Sequence, residues 1–160
     1  MKRVILPILL ILIVSCAPAT QHIASATAAL HHEDAELDAV IAQAHATLPE
    51  FIALLAESNP AYSLIGMKVR FSPREGGTRD VWTDGVTYIN DQFMGNMGDE
   101  IPSLHLAFDD RIVIDEQDIV DWMIVMDGKL IGGYTIRLYF LRMTPAEQKM
   151  FLENVDYSLE

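Results

Sequence analysis

The sequence predicts an α+β domain over residues 34–155, with helices at both ends of an antiparallel β-meander. Three patterns support this fold class. Near the start, apolar residues recur with the period of a helix, at Leu37, Val40, Ile41, Ala44 and Leu48. Further along the chain the apolar period falls to two, as in strands. An Asp-Gly pair at 127–128 then lies between two β-prone runs, which is typical of a tight hairpin.

The first helix is expected to begin at Asp34, because acidic residues crowd its first turns and interact favourably with the helix dipole. Pro49 predicts a kink, or a restart as a second helix. Segment 47–50 has the spacing of a capping box, which favours the restart. Turn residues at 58–60 end the helical region.

The middle of the chain is expected to form short strands. Met67, Val69 and Phe71 alternate with polar residues, as in a half-buried strand. Asp-Gly at 84–85 predicts a hairpin between 80–83 and 86–89, and Asn-Asp at 90–91 predicts another turn. Residues 95–102 are expected to be irregular, and 111–114 to form a strand.

The hairpin around 127–128 gives the most precise expectation. A two-residue loop pairs Met126 with Lys129 and places Trp122 opposite Gly133, so the indole would cover a strand glycine. The second strand is expected to run from 129 to 142. A short last helix then begins with Thr144 as its cap and Glu147 completing a capping box.

The first sixteen residues have the order of a secretory signal. Lys2 and Arg3 precede an apolar run over 4–14, which is shorter than the ~20 residues of a membrane span. The run ends in Ile-Val-Ser-Cys at 13–16, and Cys16 is the single cysteine. This tetrapeptide resembles the lipobox of bacterial lipoproteins. The resemblance implies a signal peptide over 1–15, cleavage before Cys16, a thioether lipid on its sulfur and acylation (palmitate) of the new amino terminus.

An ordinary secreted form is the alternative, because Ala-Pro-Ala at 17–19 also reads as a cleavage signal. The lipid is favoured since Cys16 lies at the boundary of the apolar run and has no second cysteine to pair with. In lipoproteins that stay in the inner membrane, an aspartate follows the lipidated cysteine, whereas Ala17 follows it here. The resemblance therefore implies the periplasmic face of the outer membrane. Residues 16–33 are expected to form a flexible tether.

The charge excludes one class of partner. The chain carries 11 basic and 23 acidic residues, and losing Lys2 and Arg3 leaves 9 against 23, a net charge of −14. Such a surface repels phosphate backbones, so nucleic acid is not an expected partner. A basic protein partner fits the charge instead.

Neither a metal site nor a cofactor is predicted. The histidines lie without ligand spacing, at 22, 31, 32, 45 and 105. The acidic stretch around 109–121 lacks the glycine-centred pattern of a calcium loop. A phosphate loop at Gly132 and Gly133 is excluded on the expectation that a strand follows them. No catalytic residues are assigned. A candidate interaction surface is formed by Asp109, Asp110, Asp118, Asp121 and Trp122.

Four strings carry a family resemblance: Met-Lys-Val-Arg-Phe at 67–71, Asp-Trp-Met at 121–123, Asp-Gly-Lys at 127–129 and Gly-Gly-Tyr-Thr-Ile-Arg at 132–137. They resemble the YegJ-like family of domains of unknown function, DUF2314, over about 34–142. The chain departs from that pattern between 94 and 110. The resemblance implies an α+β fold and no established activity.

Three functions stay open from the sequence. The first is a non-enzymatic binding or scaffolding module anchored in the envelope through Cys16. The second is an inhibitor or immunity-type protein for a basic envelope enzyme. The third is a hydrolase with a carboxylate site within 109–121, which would require two of those acids to meet in a pocket beside Trp122.

Overall fold

A computed structural model describes residues 34–73 and 77–160. Within these ranges lie four α-helices: α1 (Ala35–Ala46), α2 (Leu48–Glu57), α3 (Tyr134–Arg142) and α4 (Pro145–Asn154). The strands are β1 (Tyr62–Phe71), β2 (Arg79–Ile89), β3 (Gln92–Met97), β4 (Arg111–Ile114), β5 (Ile119–Met126) and β6 (Lys129–Gly132). They form one antiparallel sheet in the order β4-β3-β2-β1-β5-β6. The α+β prediction is therefore confirmed, whereas the signal peptide, the tether and Cys16 lie outside the described residues.

The helical region breaks where the proline predicts. α1 and α2 are bent by 46° about Thr47. Asp34 caps α1 by accepting from the backbone N–H groups of Glu36 and Leu37. The capping-box interpretation of 47–50 is wrong, because the Thr47 hydroxyl is turned back to the carbonyl oxygens of Gln43 and Ala44. Within the described ranges no single helix has the length and hydropathy of a membrane span, and only the bent α1–α2 pair passes such a test jointly.

The predicted hairpin at 84–85 is wrong, since β2 runs straight through it. Asp84 pairs with Gly66 of β1 on one side and with Asn96 of β3 on the other, so the chain cannot fold back there. Between the pairs Asp84–Asn96 and Thr87–Met94, β2 has two residues where β3 has one, which makes the β2–β3 register irregular there. The turn at Asn90 and Asp91 is confirmed, and β3 continues to Met97 in a stretch expected to be irregular.

The hairpin between β5 and β6 has the expected register, with Met126 opposite Lys129. The prediction that the strand continues to 142 is wrong, because Tyr134 begins helix α3. Gly132 and Gly133 have φ values of +69° and +64°, a left-handed conformation that turns the chain out of the sheet. The Trp122 indole does cover a glycine, but that glycine is Gly132 rather than Gly133.

The main core lies between α1–α2 and one face of the sheet. Trp122 of β5 and Phe51 of α2 are both fully buried there and stack with ring centroids 5.0 Å apart. On the other face, Met123 and Val125 pack against side chains of α3 and of the carboxyl-terminal segment. The predicted capping box of the last helix is confirmed at Thr144.

Candidate functional site

Asp121 is a fully buried carboxylate of β5. Its Oδ1 accepts from the backbone N–H of Trp122 at 2.9 Å and of Tyr134 at 3.1 Å. Its Oδ2 accepts from the N–H and from the hydroxyl of Thr135, each at 2.7 Å. Because Tyr134 and Thr135 open α3, the carboxylate satisfies free N–H groups at the positive end of that helix.

Lys68 of β1 is connected to this carboxylate through the Thr135 hydroxyl. It is buried, and its Nζ donates to Thr135 Oγ1 at 3.4 Å. The same hydroxyl donates to Asp121, so Thr135 links the two opposite charges. Aromatic rings cover the rest of the ammonium, with centroids 4.9 Å away in Tyr139 and 5.7 Å away in Trp82.

Burial shifts both ionisable groups of this polar cluster, which comprises Lys68, Asp121 and Thr135. It raises the pKa of Asp121 above 3.8, against the effect of its four hydrogen bonds. It lowers the pKa of Lys68 below 10.5, against the attraction of the Asp80 and Asp121 carboxylates. Perturbed pairs of this kind are candidates for acid–base chemistry. Here, however, both oxygens of Asp121 already accept two hydrogen bonds each, so its visible role is to hold α3 against β5.

The predicted interaction surface does not form as a unit. Including Asp121 and Trp122 in it is wrong, since both are fully buried. Trp122 points toward the helices, where its Nε1–H donates to Ala44 O at 3.2 Å and to Thr47 Oγ1 at 3.0 Å.

The remaining acids of that surface stay at or near solvent. Asp109 is exposed, whereas Asp110 and Asp118 are half-buried. Asp110 accepts from the N–H of Ala107 at 2.7 Å, within its own loop. Asp121 is fully buried and both of its oxygens are bonded to Trp122, Tyr134 or Thr135, so it does not offer a free carboxylate to these acids. Contact between these three acids and a partner stays a prediction.

The expectation that a strand follows Gly132 and Gly133 is wrong, because helix α3 begins directly after them. The exclusion of a phosphate loop therefore cannot rest on that expectation. The N–H groups of Tyr134 and Thr135 at that helix end bond to Asp121, so the chain's own carboxylate takes an anion's place. Among the described residues, no three histidine, aspartate or glutamate side chains are grouped to hold a metal ion. His45 instead bonds to Ile119 O at 2.7 Å.

A groove of about 430 Å³ opens at the other end of β1, between the end of α2 and strands β1 and β2. We call it the β1 groove. Aliphatic side chains line much of it, and the phenol rings of Tyr62 and Tyr88 add to the wall. Ile89 at its edge is 56% exposed. An apolar cavity of this volume lies within the range of ordinary ligand sites.

Carboxylates surround the tyrosines of the β1 groove. Tyr62 donates its hydroxyl to Glu57 Oε2 at 3.2 Å. Burial raises the pKa of Tyr62 above 10.0, and Glu57 raises it further. Burial likewise raises the pKa of Tyr88, with added contributions from Asp91 and Glu116. The rim beside these two tyrosines is therefore acidic over an apolar floor, while Arg111 Nη2 donates to Oγ1 of Thr87, another groove residue, at 2.7 Å.

The sequence patterns predicted neither the polar cluster nor the β1 groove. Lys68 lies on the polar side of an alternating strand, so the pattern predicted exposure. The string at 121–123 was a signal that something specific occurs at Asp121, but its partner Thr135 comes from a predicted strand. The β1 groove has no local signature, because α2 and β2 contribute residues about thirty positions apart.

Comparisons with known proteins identify the family. A family model described as "uncharacterized protein conserved in bacteria", DUF2314, matches residues 34–157. The "uncharacterized protein YegJ" of Escherichia coli strain K12 is 35% identical over 63 residues, which is 38% of this chain and 40% of YegJ. The match thus covers well under two thirds of that curated relative. No solved structure matches the chain significantly. On the extent of the family match, the chain belongs to the DUF2314 family of bacterial proteins.

Proposed function

We propose that this chain is a lipoprotein of the bacterial cell envelope, anchored through acylated Cys16, and that its domain is a non-enzymatic binding module for a basic protein. The observation that supports a binding role over an enzymatic one is that both oxygens of Asp121 are occupied by hydrogen bonds. This fully buried carboxylate accepts four hydrogen bonds from backbone N–H groups and the Thr135 hydroxyl of its own fold. Such a group stabilises a structure and leaves recognition to the surface.

The anchoring is supported by the sequence. Cys16 ends the apolar run and is the single cysteine, and the family occurs in bacteria. A thioether diacylglyceryl group with an amide-linked chain supplies more than the two acyl chains needed for stable attachment, at ~0.8 kcal/mol per buried methylene. We place the protein at the periplasmic face of the outer membrane, because Ala17 follows the cysteine.

The partner's charge follows from the acidic balance. The chain without Lys2 and Arg3 has 9 basic and 23 acidic residues, and this net charge of −14 attracts a basic surface and steers its approach. The attraction is screened within about 8 Å at physiological salt, so association is expected to weaken as salt is added.

Intact mass spectrometry of the membrane fraction tests the anchoring. The expected species begins at Cys16 and carries three acyl chains, whereas a Cys16→Ser variant loses both the lipid and its place in the membrane pellet. A wild-type species that begins at residue 20 without lipid would contradict the proposal. So would a Cys16→Ser variant that sediments and is processed like wild type.

An inhibitor or immunity-type role is a second candidate, favoured by the acids around the β1 groove. It differs from scaffolding in one measurable respect. The partner would be a basic enzyme whose turnover stops at one equivalent of this protein and recovers at high salt. A captured partner that retains full activity in the complex would exclude this role and leave the binding module.

A further inference from the structure

We propose that the β1 groove is the docking site for a segment of the partner protein in which apolar side chains alternate with lysine or arginine. This inference rests on the proposed binding function and names the surface and the chemistry of its partner. The apolar residues would lie on the groove floor and the cations would face its acidic rim.

The apolar floor of the groove favours binding through the hydrophobic effect. Ile52, Leu55, Ile65 and Val86 line the groove between the helix and the sheet, and Ile89 leaves more than half of its surface in water. Covering such surface gains about 25 cal/mol per Å² of apolar area. The groove encloses about 430 Å³ between these side chains.

The rim supplies the charge. Glu57 is exposed and holds the Tyr62 hydroxyl, and Asp91 is exposed beside Tyr88 at the β2–β3 turn. The carboxyl end of α2 reaches the groove at Ser58, and the last turn of this helix carries no basic residue. Helix carboxyl ends carry a partial negative charge, which adds to that of Glu57.

These charges favour a basic partner over a second copy of the chain. A second copy carries the same net charge, −14 without Lys2 and Arg3, and would bring like charges together. A lysine- or arginine-containing segment neutralises the rim while its apolar neighbours leave water. Rim charges of this kind act mainly on association rate and salt dependence.

The test uses the full chain purified in detergent and a fluorescein-labelled peptide that alternates leucine with lysine. A second peptide replaces lysine with glutamate, and a third replaces leucine with serine. We expect fluorescence anisotropy to detect the first peptide only, with binding that weakens steeply between 50 and 500 mM salt.

Two matched double variants locate the site. Glu57→Gln with Asp91→Asn removes two charges at the groove, whereas Glu160→Gln with Asp156→Asn removes two exposed charges outside both the groove and the acids at 109–118. The groove pair is expected to weaken binding about tenfold and the control pair less than twofold. Ile89→Ser tests the apolar contact and should weaken binding at every salt concentration. Circular dichroism melting confirms that each variant is folded.

Each other outcome overturns the docking site. Equal weakening by both double variants would mean that only net charge matters, which leaves the proposed binding function intact. Light scattering that detects a dimer abolished by Ile89→Ser would assign the groove to a second copy. Absence of salt-dependent binding by any peptide would contradict the basic partner itself and with it the proposed function.

Discussion

The two halves of strand β1 differ in where charge lies relative to the apolar core: one half has a buried charge and the other has an exposed charge beside an open groove. At Lys68 the charge is closed inside the fold, with a hydroxyl link to Asp121 and two aromatic rings around the ammonium. At Tyr62 the apolar surface opens to solvent and the carboxylate of Glu57 stands beside it.

This difference separates stability from recognition. In the described ranges every buried side-chain nitrogen or oxygen has a hydrogen-bond partner, so the closed half is complete without a ligand. The open half leaves Ile89 and the acidic rim in contact with water. Changes in the closed half should therefore alter folding, and changes in the open half should alter binding.

Asp121→Ala gives the largest expected loss of stability. It leaves the N–H groups of Trp122, Tyr134 and Thr135 and the Thr135 hydroxyl without their buried acceptor, and it removes the carboxylate that offsets the charge of Lys68. Such a loss costs about 3–5 kcal/mol in the free energy of unfolding, measured by urea denaturation. Asp118→Ala, at a half-buried position on the protein's surface, should stay within about 0.5 kcal/mol of wild type. Equal effects of both variants would contradict the structural role of Asp121.

Gly132→Ala should cost about 2–3 kcal/mol. An added Cβ would lie 2.5 Å from Trp122 O and 2.7 Å from the indole, at a φ of +69°. Gly128→Ala is the matched control, because it has a φ of +72° and no atom within 4 Å of the added carbon. It should lose only about 1–2 kcal/mol of backbone energy. Indistinguishable melting temperatures for the two would refute the close contact with Trp122.

Lys68→Met should cost about 1 kcal/mol. The four hydrogen bonds of Asp121 remain, and the methionine fills the space between Trp82 and Tyr139. Chemical denaturation compares it with Asp121→Ala. If Lys68→Met is as damaging as that variant, the attraction between the Lys68 and Asp121 charges and not the capping of α3 dominates the cluster.

The exposed pair between Asp34 and Arg142 should give the smallest effect, visible as a pH dependence. The hydrogen bond from the Arg142 guanidinium lowers the pKa of Asp34 from 3.8 to about 2. A lowered folded-state pKa means that its stabilisation is present above pH 3.8 and is lost as the pH falls toward 2. Arg142→Gln should make the free energy of unfolding depend less on pH between 3.8 and 2 than it does in wild type. An unchanged slope would show that the pair contributes nothing.

Much of the fold followed from local pattern, and the failures have a common cause. The register of the β5–β6 hairpin and the capping of the last helix depend on neighbouring residues, and both were predicted. α3 was missed because Thr135, Ile136 and Tyr139 favour strands. What makes them helical is a carboxylate from β5 at the helix start, a contact that local propensity does not contain.

The site was predicted less well than the fold, for the same reason. Asp121 and Trp122 were singled out from an unusual string, but as surface residues. Their burial depends on α1, α3 and β1 packing around β5. The β1 groove combines segments distant in the chain, so its acids read as ordinary exposed charges.

Chemical-shift mapping on ¹⁵N-labelled protein tests the separation of recognition from stability most directly. Titration with the leucine–lysine peptide is expected to move the amide signals of residues 55–62 and 86–91. The signals of Lys68, Trp122 and Thr135 should stay in place. Shifts centred on 109–118, or on the polar cluster, would contradict the assignment of binding to the open half of β1.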